Sequence, residues 1–343
     1  MEVRTARAGE RDEVLDLLAR WYGDRTFFSR YNLNDPAFRD ELCLVACEGG
    51  KIVSTAQIFD RRIRLQGEIV PMGGIGSVYT HEDWRRRGAA SALMRLALET
   101  LDREHFEVSL LFTDLIDFYE RFGWKPVNRT FTALMGAENL IVDSRIEVGL
   151  FDQGRDYGEV REIHDYYSRF DACEARDDAR WRANLKYAGN PDEHFVVARD
   201  PSGSVGAYAR SILLQGYPIL MEYGYRRDRF DSILSVVFHL GRVVSGIDPE
   251  NEAELHGREI LRSAQALTSG MLVAHTRHDP DFERQLQSSG CYLMHHEEHN
   301  YMWRLISASR FAARFNLAPA AAEERMYALV GSPNALFWTA DRF

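Results

Sequence analysis

Between Tyr79 and Leu93 the chain turns from strand to helix within a few residues, and no other segment limits the fold as much. Ile75 to Met94 reads IGSVYTHEDWRRRGAASALM. An apolar strand enters a turn in which Gly88, followed by the small Ala89 and Ala90, lets the backbone approach a ligand without side-chain obstruction. A helix follows, with Ala90, Leu93, Met94, Ala97 and Leu101 on one face. Such a corner points unpaired N–H groups and the positive end of a helix dipole outward. Arg85, Arg86 and Arg87 add fixed positive charge, which suits a pyrophosphate. Taken alone, the three arginines read equally well as solvation of a helix start.

The elements around the corner form a simple order. Val3–Arg7 reads as a strand and Glu10–Trp21 as a helix, with Val14, Leu17, Leu18 and Trp21 at helical spacing. Leu42–Cys47, Lys51–Phe59, Arg61–Leu65 and Ile69–Tyr79 read as an antiparallel meander whose turns carry Gly49, Gly50 and Gly67. Val108–Phe112 is an apolar strand, Leu115–Phe122 a short helix, and Phe131–Met135 is expected to close the sheet. The second half loosely repeats this order. It has a helix at Tyr157–Arg169, a hairpin of His194–Arg199 and Val205–Leu213 about Asp200-Pro201-Ser202-Gly203, helices at Phe230–Val244 and Glu252–Ala266, and strands at Gly270–Ala274 and Cys291–Leu305.

At 343 residues the chain exceeds the roughly 250–300 at which single cores stop growing, so two units and an extension are expected. The division falls at residues 1–135, 136–305 and 306–343. The last stretch ends LFWTADRF, and Leu336, Phe337, Trp338 and Phe343 are too apolar for a frayed tail. No run approaches the roughly 20 apolar residues of a membrane span, and the charged amino terminus is unlike a secretory signal, which places the protein in the cytoplasm. Cys43, Cys47, Cys173 and Cys291 form neither a disulfide framework nor a zinc pattern. His295, His296, Glu297, Glu298 and His299 sit where a strand alternates its faces, so no metal is expected there. A net charge of −10 argues against nucleic acid and admits a cationic substrate. No GxSxG, GKS or paired CxxC motif favours hydrolase, triphosphatase or zinc readings.

Arg85-Arg86-Arg87-Gly88-Ala89-Ala90 resembles the RxxGxA signature of the GNAT superfamily of N-acetyltransferases, and DFYERFGW follows at the distance that family shows. The resemblance implies a mixed α/β (α+β) fold, a mostly antiparallel sheet flanked by helices, with acetyl-coenzyme A as acyl donor. By match of position, Val78, Tyr79 and Thr80 would pair with the pantetheine arm, and the sheet would splay toward Val108–Phe112 to take the thioester. Arg85 to Ala90 would hold the pyrophosphate, and Tyr119 would stand near the sulfur. The chemistry needs such a group: a thiol of pKa about 8.5 leaves better when protonated, and a tyrosine at about 10 carries that proton at neutral pH. Tyr119 also reads as one more core aromatic beside Phe118, Phe122 and Trp124. The amine acceptor must in turn lose a proton, because an ammonium has no lone pair.

Two such halves, only the first with the RxxGxA turn, followed by a tail ending in phenylalanine, look like the enhanced intracellular survival (Eis) family. That resemblance implies tandem GNAT folds plus a short C-terminal segment, self-association into a homo-oligomer, and the carboxylate of Phe343 as base in the first unit. About forty residues follow the second half, too few for the sterol carrier domain that family usually has. Trp21, Asp24, Phe27 and Phe28 are placed at the acceptor side, where a carboxylate and aromatic faces would hold a cation, with Glu222 and Asp341 as further negative charge. The acceptor is a small-molecule or peptidyl amine. An acyl-coenzyme A sensor without catalysis is the alternative.

Overall fold

The computed structural model describes residues 1–23, 25–187, 193–214, 217–245 and 271–343. The helix expected at Glu252–Ala266 lies outside them. The first half contains β1 (Glu2–Thr5), α1 (Arg11–Tyr22), α2 (Arg25–Asn34), β2 (Cys43–Glu48), β3 (Lys51–Leu65), β4 (Glu68–Thr80), α3 (Ala89–Arg103), β5 (Val108–Phe112), α4 (Ile116–Glu120) and β6 (Lys125–Pro126). Strands β2 to β4 form the expected antiparallel meander, and β1 pairs antiparallel with β2 at its edge. Its two tight turns each place two residues at positive φ: Gly49 at 56° and Gly50 at 80°, then Gln66 at 50° and Gly67 at 84°. That backbone matches the right-handed twist of the flanking strands. No break occurs at Asp60, where two strands were expected. β4 pairs with β3 from Ser54 to Leu65, so β3 runs on as one strand.

The second half repeats the order with β8 (Glu147–Leu150), α5 (Gln153–Tyr167), α6 (Asp178–Tyr187), β9 (His194–Arg199), β10 (Val205–Leu214), β11 (Tyr217–Tyr225), α7 (Phe230–Ser245) and β12 (Leu272–Ala274). In each half the strand after the long helix joins the meander in parallel, β5 on β4 and β12 on β11. The turn between β9 and β10 is built as expected, with the Asp200 carboxylate accepting the Ser202 N–H at 2.8 Å. After β12 come α8 (Pro280–Ser288), β13 (Tyr292–Glu298), β14 (Tyr301–Leu305), α9 (Ala308–Arg314) and α10 (Ala322–Val330).

Two strands have changed places between the halves. The first sheet has the order β1-β2-β3-β4-β5-β14-β6. The second sheet, which includes β7 (Arg129–Met135), runs β13-β7-β12-β11-β10-β9-β8. Phe131–Met135 therefore does not close the first sheet. It pairs with β12 and β13, and β14 takes the place beside β5 from Val108↔Leu305 to Phe112↔Tyr301. An apolar strand advertises that it will be buried but not which edge it will join, and β6 is too short to satisfy β5 alone. Cys291–Leu305, read as one strand region, is accordingly divided between both sheets.

The chain's end is the seam between the cores. Leu336 and Trp338 enter the core of the second sheet, while Ala335 and Phe337 enter that of the first. This is the alternation of an extended segment packed on both faces. Burial of each large apolar side chain here contributes about 1.5–3 kcal/mol. Leu336 donates its N–H to Asp171 at 2.7 Å, and the Trp338 indole donates to Ser168 at 2.9 Å. Among the described residues no helix is long and apolar enough to cross a membrane.

A chain ending at Met135 would lack β14 and leave the inner edge of β5 unpaired. We expect it to show no cooperative thermal transition by circular dichroism, whereas the full chain melts cooperatively; a sharp transition in the shortened chain would contradict the strand exchange.

Candidate functional site

The corner between β4 and α3 is made by backbone conformation. After Thr80 a single turn at Glu82–Trp84 leads to Arg86 at φ 62° and to Gly88, the N-cap of α3, at φ 86°. Glycine is needed at 88 for that left-handed angle, since a Cβ there would meet nothing within 4 Å. The first helical bond runs from the Ala92 N–H to the Gly88 carbonyl at 3.0 Å. The N–H groups of Ala89, Ala90 and Ser91 thus have no acceptor within the helix. The helix buries Ala89, Leu93, Met94, Ala97, Thr100 and Leu101; Ala89, rather than the expected Ala90, heads that face. Arg85, Arg86 and Arg87 are exposed. Arg85 donates through Nε to the Thr80 carbonyl at 3.3 Å, and the Arg87 guanidinium lies 4.6 Å from the centre of the Trp84 ring.

The sheet opens beside this corner. β4 and β5 are paired only from Met72↔Val108 to Ile75↔Leu111, while β4 continues to Thr80. From Gly76 to Thr80, including Val78 and Tyr79, the β5-side edge has no strand partner among the described residues. A bulge adds to the divergence. Thr55 opposes Tyr79 and Gln57 opposes Gly76, which leaves one extra residue on β4, with Ser77 at φ 50°.

The two expected catalytic residues lie on opposite faces of β4. Tyr119, on α4, packs with Ile75, Leu93, Met94 and Leu111 in the cluster on the α3 face. Its ring meets Phe118 and Trp124 edge-on, at 4.9 and 6.4 Å. Burial pushes its hydroxyl up to about 12, and no hydrogen-bond partner for it occurs among the described residues. Phe343 comes from the other face. Its ring lies against Gly74 and stacks on Phe59 at 5.1 Å, with Phe112 at 5.3 Å and Phe337 at 6.1 Å. Its carboxylate oxygen lies 3.0 Å from where a Cβ on Gly76 would stand. Two glycines on one face of β4 thus form the slot that the last residue fills.

The acceptor candidates are only partly brought together. Trp21 is half exposed and stacks with Tyr79 at 6.1 Å and with Phe28 at 6.5 Å. Tyr79 donates to Glu82 at 2.9 Å, and Arg20 holds the same carboxylate at 2.9 Å. Asp24 and the Phe27 side chain lie outside the described part. Glu222 and Asp341 do not present charge to an open pocket. Both are fully buried and share Arg176, which holds Asp341 at 2.7 Å and also bonds Glu222. Sequence reasoning overlooked the remainder of that network: Arg61 with Asp35 at 2.8 Å, Arg180 with Glu174 at 3.0 Å, and Asn184 with the Ala340 carbonyl at 2.8 Å. Glu174, Arg176, Arg180 and Asn184 are close in the chain, but their partners Asp35, Arg61, Glu222 and Asp341 are not, and no spacing connects them.

Residues 2–127 match the acetyltransferase (GNAT) domain family. No curated protein matches the chain. Among solved structures it resembles a probable N-acyltransferase of Enterococcus faecalis, with TM-score 0.64 and 14% identity over 89% of this chain and 72% of that one. Eis1 of Mycobacterium abscessus superposes with TM-score 0.57 and 15% identity over 91% and 75%. The N-myristoyltransferase of Saccharomyces cerevisiae with bound myristoyl-CoA superposes with TM-score 0.51 and 15% identity over 88% and 79%. At such identities these likenesses concern the fold. Residues 2–127 are therefore a GNAT acetyltransferase domain, within a mixed α/β chain whose two seven-stranded sheets flanked by helices are consistent with tandem GNAT folds.

Proposed function

We propose that the chain transfers an acetyl group from acetyl-coenzyme A to a primary amine, small or peptidyl, at one site in the first unit. The observation that carries this reading is the unpaired edge of β4 leading into the Gly88 corner. That edge offers backbone groups to an amide-containing arm, and the N–H groups of Ala89, Ala90 and Ser91 with Arg85 to Arg87 offer positive potential to a pyrophosphate. The residues present therefore fit the donor. When bound, acetyl-coenzyme A supplies an acyl thioester at the gap between β4 and β5. The Phe343 ring covers Gly74 at the closed end of that gap, which favours a short acyl group.

Tyr119 holds a proton toward the departing sulfur. With its hydroxyl held near 12, it remains protonated at every physiological pH, and full transfer to a thiolate of pKa about 8.5 is uphill by roughly 5 kcal/mol. Its work is to donate a hydrogen bond as charge develops, and to release the proton only as the sulfur leaves. The Phe343 carboxylate, on the opposite face, takes the proton from the attacking amine, directly or through one water. Trp21, Phe28 and Tyr79 supply aromatic faces for a cationic acceptor.

The second unit is assigned no chemistry. Its connection from β11 to α7, Arg226 to Arg229, has no glycine, and Arg229 is pinned to Asp200 at 2.9 Å. We assign the chemistry to residues 1–135, a supporting role to 136–305 and the return of the carboxylate to 306–343, with β7 and β14 exchanged.

Purified protein should release coenzyme A from acetyl-coenzyme A when amines are added, and Tyr119→Phe should lower that turnover about 100-fold or more. Saturable binding of acetyl-coenzyme A with no thiol release across a broad amine panel would establish the sensor reading instead. Adding one residue after Phe343 should depress kcat by moving the carboxylate; full activity in the extended chain would exclude it as base.

A further inference from the structure

Among the described residues, the network around Asp341 contains more acid than base. Arg61, Arg176, Arg180 and Arg210 supply four guanidinium groups, and Asp35, Glu174, Glu193, Glu222 and Asp341 supply five carboxyls in contact with them. Such an excess of acid, largely withdrawn from water, favours a proton on one carboxyl. The geometry locates it. Arg176 and Asn184 both donate to Asp341 Oδ1, at 2.7 and 3.3 Å. Asp341 Oδ2 is buried and has no donor among the described residues, and the neighbouring Glu174 carboxylate already accepts from Arg180. Two carboxyl groups facing each other without a donor between them must share a hydrogen.

We propose that Asp341 and Glu174 share a single proton, and that this shared proton holds the turn at Thr339–Asp341 in the seam and so positions the Phe343 carboxylate in the gap of the first sheet. Asp341 is a positioning residue and touches no reacting atom. The claim rests on the reading of Phe343 as a working part of the site, but it concerns docking and can fail separately.

The surrounding charges agree with this assignment. Burial raises Asp341, against the pull of Arg176 and with the help of Glu174, to about 8. Desolvation opposes ionisation of Glu174, yet Arg180 and Arg61 hold it at about 2. Glu222, on β11, is likewise held at about 2 against desolvation by Arg176, with Arg210 contributing. Arg210 faces the network from β10, Arg180 and Asn184 from α6, and Arg61 from β3. Tyr208 donates to Glu222 at 3.0 Å, the buried Cys173 thiol lies nearby, and burial keeps His164 of α5 neutral.

The sign follows from linkage. Asp341 binds its proton more tightly docked than released, where its pKa is about 3.9. Docking is therefore at full strength below that value, weakens as pH rises, and levels off above about 8. Within the window each pH unit should raise the released population about tenfold.

Hydrogen exchange at the Asp341 and Arg342 amides, which donate to Trp338 and Thr339 carbonyls at 3.0 and 3.2 Å, reads that population directly. Corrected for the intrinsic rates of an unstructured peptide of the same sequence, protection in the full chain should fall about 50-fold from pH 6 to pH 8 and by no more than about twofold from 8 to 9. In Asp341→Asn the amide donates to Glu174 while its carbonyl still accepts from Arg176, so the slope should vanish. Glu174→Gln should flatten it too, by supplying the donor itself. Protection that is flat in the unaltered chain, or that keeps its slope in Asp341→Asn, overturns the proposal and leaves the role of Phe343 untouched. The expected slopes together with undiminished turnover of a chain extended beyond Phe343 would instead remove the carboxylate from the chemistry and keep the lock.

Discussion

The inner edge of β5 is the constraint on which the first unit depends. A strand buried beside β4 on one side must find hydrogen-bond partners on the other, since unpaired backbone groups away from water cost about as much as a lost hydrogen bond. β6 offers only Lys125 and Pro126, and a proline has no N–H to give. The partner is β14, some 190 residues later in the chain, whose Trp303 and Tyr301 are fully buried once it is in place. The reciprocal move of β7 into the second sheet makes the exchange mutual. With β14 set beside β5, the chain beyond it starts next to the first sheet, and α9, α10 and the terminal segment pack over that sheet's outer face.

That return path brings the last residues into both cores and, in the proposed reading, to the site. Leu336 and Trp338 are drawn into one core and Phe337 into the other, so the backbone is clamped before it reaches Asp341. The clamp continues in polar form through Arg176, Asn184 and Glu174. Buried ion pairs of this kind repay their desolvation only with good geometry, and removing one partner costs about 3–5 kcal/mol. Their value here is register: an extended segment held by apolar contacts alone could slip by two residues, whereas the Arg176 fork accepts Asp341 in one position.

Much of this fold was legible because its signals are local. The glycine turns of the meander, the apolar run of β2, the face of α3 and the change at Gly88 each depend on residues within one or two turns of one another. So did the expectation that LFWTADRF would be buried. Pairings between distant segments were not legible: Phe131–Met135 reads as a good strand in either sheet, and Asp60 looks like a break until β4 is laid alongside it. The site divides the same way. Arg85 to Ala90 and Tyr119 stand out in the sequence, whereas Glu222 and Asp341 read as free negative charge because their arginine lies at position 176 and nothing in the spacing connects them.

Gly74 and Gly76 present no side chains on their face of β4, so this wall of the gap is furnished by a segment from the far end of the chain. A mutation at residue 343 can therefore reshape the cavity without disturbing a single strand of the sheet that frames it. The scaffold and its lining are separable for evolution, and a lineage could retune what the cavity admits by exchanging one terminal residue while every backbone pairing stays as it was.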